Sequence, residues 1–249
     1  MGTVVEAGGW GLLAGAALVM GAGLGYLVQV PAKLVATIMA FGSGVLLSAV
    51  SFELIDEAHA RGGLAPTAVG ALAGAVVYTG ANSALARRGA RHRKRSGDQQ
   101  PSEADQEGSG TAIALGALLD GIPESMIIGV GIASGGAVSV ATVAAVFISN
   151  IPEGLSSATG MRRAGRTPGY IFGLWGGIAV LSAAAAMFGF TLSDVLSASV
   201  LAAIIALAAG AILTMIADTM IPEAFENAHL VTGLVTVAGF LTAFALSTL

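Results

Sequence analysis

Apolar residues run along this chain in long unbroken blocks rather than in alternation with polar ones. A block of about 20 such residues suffices to cross a bilayer as a helix. Eight qualify, at roughly 8–28, 34–56, 64–86, 110–132, 137–160, 169–190, 195–218 and 228–248. Unbroken apolarity predicts helices, whereas barrel strands would alternate. Polar breaks fall at "QVPAK", "DEAHARGG", "ASGG", "RRAGRTPG", "LSD" and "IPEAFEN", with one long break at 87–109. The pattern predicts an all-α membrane protein of eight transmembrane helices forming a single domain over 1–249.

Composition sharpens that picture. Only 10% of residues are charged, against about 25% in an ordinary soluble domain, and the mean hydropathy is +0.84. The 36 glycines suit closely packed membrane helices; "GAGLGY" (21–26) and "GALAG" (70–74) read as packing surfaces. A net charge of −4 offers no footprint for nucleic acid. With no cysteine, disulfides and thiolate metal sites are excluded. The start "MGTVVEAGGW" lacks a basic region, so the first block reads as a span rather than a cleaved signal. Trp10 and Trp175 read as anchors at the membrane interface.

Basic residues set the expected orientation. Lys33, the group Arg87, Arg88, Arg91, Arg93, Lys94 and Arg95, and the group Arg162, Arg163 and Arg166 all fall in alternate loops; only Arg61 lies on the other side. Loops rich in Lys and Arg stay in the cytoplasm. The split therefore predicts a multi-pass plasma (inner) membrane protein with 87–109 cytoplasmic and both termini outside. The loop "RRGARHRKRSGDQQPSEADQEGSG" is charged and poor in apolar residues, which predicts a solvated, disordered segment.

Two internal matches stand out. "LDGIPES" and "SNIPEGL" share an I-P-E core. "LLSAVSFELIDEA" (46–58) aligns without a gap on "ILTMIADTMIPEA" (212–224), which sets Glu57 on Glu223, Ala58 on Ala224 and Gly44 on Gly210. Each match joins helices expected to run in opposite directions, as in an inverted repeat. The implied scheme is 3+2+3: helices 1–3 inverted onto 6–8, with 4 and 5 as a central pair.

The I-P-E segments carry the chemistry. Asp120 and Glu124 share one face of helix 4; Ser149 and Glu153, with Asn150 beside them, share one face of helix 5. Pro123 and Pro152 lack an N–H, so they bend their helices and free the carbonyls of Leu119 and Ile148. Carboxylates inside a membrane cost a few kcal/mol each. No lysine or arginine lies deep in any span, so no salt bridge is expected for them. They are then either protonated or facing a cation. Carboxylates with an amide and a hydroxyl make an oxygen ligand set for a divalent ion. Glu53, Asp56 and Glu57 cluster near the expected outer mouth, and Asp218, Glu223, Glu226 and His229 near the cytoplasmic one, as pathway candidates. The histidines at 59, 92 and 229 all sit at span ends or in loops.

"DGIPES" in helix 4 and "SNIPEG" in helix 5 resemble the H-N-x-P-E-G signatures of the ZIP (Zrt/Irt-like) divalent metal transporters. The eight spans, the outward termini, the variable loop between helices 3 and 4 and the 3+2+3 repeat match too, so the resemblance covers the whole chain. It implies uptake of zinc or other divalent metals toward the cytoplasm, through a site between helices 4 and 5. The metal is then substrate, with no organic cofactor, and homodimer formation stays open. By the same resemblance, Asp120 and Ser149 stand where the family carries histidines, Glu124 and Glu153 at its glutamates, and Asn150 at its asparagine. Gly121 replaces the other asparagine, and helix 6 lacks the acidic residue many members carry. Oxygen in place of imidazole favours harder ions such as manganese, iron(II) or magnesium over zinc.

Two rival classes lack the residues they need. An intramembrane metalloprotease needs ligands such as H-E-x-x-H, which is absent, and a serine protease needs a histidine at depth. The chain therefore does not read as an enzyme. A membrane scaffold or sensor that keeps the fold without conducting metal, or a carrier of another cation, is the alternative.

Overall fold

The computed structural model describes residues 2–94, 100–102, 104–133 and 140–247. The expected break at 133–136 (beyond Ala133), the start of the 137–160 span, residue 248, and positions 95–99 and 103 of the long loop lie outside the described residues. Every regular element among the described residues is helical: α1 (Val4–Leu27), α2 (Ala32–Ala49), α3 (Ile55–Gly62), α4 (Leu64–Leu85), α5 (Ser109–Ala133), α6 (Val140–Arg163), α7 (Pro168–Val195), α8 (Ala198–Met215), α9 (Ile221–Ala228) and α10 (Thr232–Ser247).

Local chemistry explains the starts. Thr3 and Thr167 cap α1 and α7, their hydroxyls accepting the amides of Glu6 and Tyr170, and Pro168 fills a first-turn position where no N–H is needed. Pro123 and Pro152 are carried inside α5 and α6, which continue through them as helix.

Among the described residues, six helical stretches are long and apolar enough to cross a membrane: Val4–Leu27, Ala32–Gly62, Leu64–Ala90, Ser109–Ala133, Pro168–Ser193 and Ala198–Ser247. Two differences from the eight apolar blocks have a plain cause. In α6, the polar residues Ser149, Asn150, Glu153, Ser156 and Ser157 dilute the apolarity. The last two blocks join into one helical stretch, with only a 3₁₀ turn at His229–Val231 between α9 and α10.

The segment from α2 to α3 contains a π turn, Val50–Leu54, and so does the segment from α8 to α9, Ile216–Met220. Both segments divide into 18, 5 and 8 residues. Packing partners correspond in the same way. Beside the extensive packing of α1 on α7, the tightest pairs correspond, α1 with α6 against α7 with α5, and α4 with α8 against α10 with α2. Glycines let these backbones touch: a methyl group on Gly44 would overlap the Thr236 carbonyl and one on Gly239 that of Phe41, while Gly210 and Gly74 meet the Ala71 and Leu207 carbonyls reciprocally. Small residues at such crossings are how helices associate where water supplies no driving force.

Trp175 is a correction to the interface anchor expected from sequence. It is 1% exposed and packs among Ile113, Ala117, Met161 and Ile171. Because α7 is flanked by α1 and α5, the ring at this turn faces protein. Trp10 is half-buried against Ala7, Ala14 and Phe190.

Candidate functional site

The site begins where α4 ends. A π turn, Ala86–Ala90, breaks at Arg88 and at Gly89, whose φ of 97° is left-handed and natural only to glycine. The chain reverses there, and residues 91–94 form a turn directed back among the helices. Arg93 is 3% exposed and Lys94 1%.

Arg93 reaches Asp120 of α5 as a fork. Its Nε donates to Asp120 Oδ2 at 3.1 Å and a terminal nitrogen to Oδ1 at 3.0 Å. Its other terminal nitrogen donates to Asn82 Oδ1 at 2.8 Å. Tyr78 of α4 donates its hydroxyl to Asp120 Oδ1 at 2.6 Å and accepts from Arg93 at 3.1 Å. Gly116 on α5 makes the room, since a methyl group there would strike the Arg93 side chain. Paired, two-point bonds of this kind are the strong form of the arginine–carboxylate contact.

Lys94 bridges the two I-P-E helices. Its Nζ lies 3.3 Å from Asp120 Oδ2 on α5 and 3.1 Å from Glu153 Oε2 on α6. Burial opposes the ammonium, but the Asp120 and Glu153 carboxylates outweigh it and hold the Lys94 pKa above the ordinary lysine value. The turn is pinned from both sides: the Ser156 hydroxyl donates to the Lys94 carbonyl, and Gln100 Nε2 donates to the carbonyls of Arg93 (2.9 Å) and Ser157 (3.2 Å). Since α5 packs chiefly on α7, and α6 on α1, with little direct contact between α5 and α6, Lys94 is the main polar link between their functional turns.

The expected absence of a salt-bridge partner for the buried carboxylates is therefore overturned. The partners come from the 87–109 segment rather than from a span. That segment's composition predicts a solvated, disordered loop, yet its described part is folded. Ser102 donates its hydroxyl and amide to Asp105, lowering that carboxyl's pKa, and Gln106 donates to the Arg87 carbonyl. Cations inside the bundle satisfy carboxylates that would otherwise be buried alone, a loss of about 3–5 kcal/mol.

The remaining candidates divide. Glu124 is 2% exposed and has no ion-pair partner among the described residues. Ser149 is buried and donates to the Val146 carbonyl; Asn150 is buried and donates to the Ala14 carbonyl on α1 at 2.9 Å. Among the described residues, no three His, Asp or Glu side chains are grouped so as to hold a metal ion. Of the outer candidates, Glu53 is half-buried in the first π turn and accepts from Thr142 of α6, Asp56 is exposed, and Glu57 pairs with Arg61. On the other side Glu223 is buried, while Asp218, Glu226 and His229 are exposed. Of these mouth residues, Glu223 lies within electrostatic reach of Lys94 in the central group.

Sequence reasoning missed Tyr78, Asn82, Arg93, Lys94 and Gln100. One signal was available: with no basic residue in any span, any cation pairing with the three buried carboxyls has to come from a loop, and 87–95 is the richest source. No family model matches the chain, and no curated protein matches it.

Proposed function

We propose that this chain is an eight-span plasma-membrane carrier of a divalent metal ion, built as a 3+2+3 inverted repeat and similar to the ZIP transporters. One observation carries the reading: Asp120 and Glu153, from the I-P-E turns of two helices that scarcely touch, converge on a single cation, the Lys94 ammonium. Two carboxylates converging on one cation inside an apolar bundle make a cation-binding site. The ligand set for the metal is Asp120, Glu124 and Glu153, with Ser149 and Asn150 adjoining, and their oxygens suit manganese, iron(II), magnesium or zinc. The 18-5-8 recurrence and the matched packing of α4 with α8 and α2 with α10 support the repeat. Alternating access would then rock the outer bundles about α5 and α6, with 87–109 cytoplasmic and both termini outside.

A second reading, a scaffold or sensor that does not conduct metal, is favoured by the same ion pairs, since Arg93 and Lys94 already satisfy Asp120 and Glu153. Calorimetry with Mn²⁺ on the purified full chain separates the two. A carrier binds Mn²⁺, more weakly as pH falls because the ligands must be deprotonated. Glu124→Gln and Glu153→Gln each reduce that binding while membrane insertion persists. Binding unaffected by either change, or independent of pH, would remove the site assignment.

A further inference from the structure

We propose that Lys94 is a tethered competitor for the metal: its ammonium occupies the space between Asp120 and Glu153 when no divalent ion is bound, and metal entry displaces it and frees its backbone from Ser156 while Arg93 stays in place. The inference rests on the carrier reading and adds a mode of regulation to it.

The contacts separate an anchor from a mobile part. The Arg93 side chain has three side-chain partners, Asp120, Tyr78 and Asn82, and the backbone carbonyl of Ala90, and is fitted against Gly116. Lys94 is a single point charge on a flexible stem, held by two carboxylates that a divalent ion would also use. Among the described residues, its carbonyl is held by the Ser156 hydroxyl and that of its neighbour Arg93 by Gln100, both exchangeable polar contacts. Charge balance points the same way. Arg93 and Lys94 face Asp120 and Glu153, with Glu124 beside them and the buried Glu223 of α9 within electrostatic reach of Lys94. Exchanging Lys94 for a divalent ion, with Arg93 retained, raises the positive charge facing these carboxyls from two to three. Covalent attachment gives Lys94 a high effective concentration at the site, so the metal must outcompete it, and the apparent affinity for metal is lowered by the fraction of time Lys94 is away.

The test uses the absence of native cysteine. Ser156→Cys puts a thiol beneath the Lys94 carbonyl, at a position 2% exposed. Saturating Mn²⁺ should speed its labelling by a small, soluble thiol reagent about tenfold, and Lys94→Met should bind Mn²⁺ about tenfold more tightly, as expected when the competent state is the minor one. Lys94→Arg, with its charge kept and a stronger fork, should bind more weakly than the parent, so the series stays informative even where Lys94→Met folds poorly. Mn²⁺ binding with unchanged labelling and no affinity gain in Lys94→Met overturns the competitor while leaving the carrier standing. No Mn²⁺ binding to the parent or to Lys94→Met overturns the carrier reading and this inference with it.

Discussion

Gly63 and His229 close the two 18-5-8 segments with the same backbone contact: the Gly63 amide donates to the His59 carbonyl and the His229 amide to the Phe225 carbonyl, both with positive φ. Gly63 adopts φ 74° freely, whereas His229 holds φ 48° against its own Cβ. His229→Gly should therefore raise thermal stability in detergent, recovering about 1–3 kcal/mol of backbone strain. A fall in melting temperature would show that the imidazole, packed edge-on against Phe225, contributes more than the strain costs.

Asp120 carries both buried cations, so its loss should be costly. Asp120→Asn keeps the size and leaves Arg93 and Lys94 without their shared anion, for a predicted loss of about 3–5 kcal/mol. Asp120→Leu combined with Arg93→Met should recover part of that stability, because Lys94 keeps Glu153 as its partner and no buried cation is left without an anion. Thermal melts of the single and combined variants, read as a cycle, check both statements.

Gly44 and Gly210 correspond in the sequence match, and each abuts a carbonyl of the neighbouring helix, Thr236 on α10 and Ala71 on α4. Gly44→Val and Gly210→Val should each destabilise by at least about 1–3 kcal/mol through forced separation. Losses of similar size at both positions are the expected result. A large loss at one and none at the other would mean that only one helix pair depends on backbone contact.

Orientation is testable at Ala104, which is exposed in the described part of the long segment. With ten of the eleven basic residues on its side, Ala104→Cys should resist impermeant thiol reagents applied to intact cells and label after permeabilisation. Rapid labelling of intact cells would invert the proposed topology.

By itself the sequence determined the helical character, the positions of most helices and the gapless match of 46–58 with 212–224. All of these follow from local apolarity and from residue identity at fixed spacing, and they need no knowledge of neighbours in space. It also marked Asp120, Glu124 and Glu153 as buried, since a carboxyl inside an apolar run has nowhere else to be. Tertiary structure alone decided what those carboxyls meet. Lys94 contacts Glu153 across 59 residues and Arg93 contacts Asp120 across 27, distances over which periodicity carries no information. A basic run is soluble by composition, and only the reversal at Gly89, the room at Gly116 and the uncompensated carboxylates draw its end inward. For the same reason Trp175 looked like an interface anchor: the residue type favours that place, but its burial is set by α1 and α5 closing over α7.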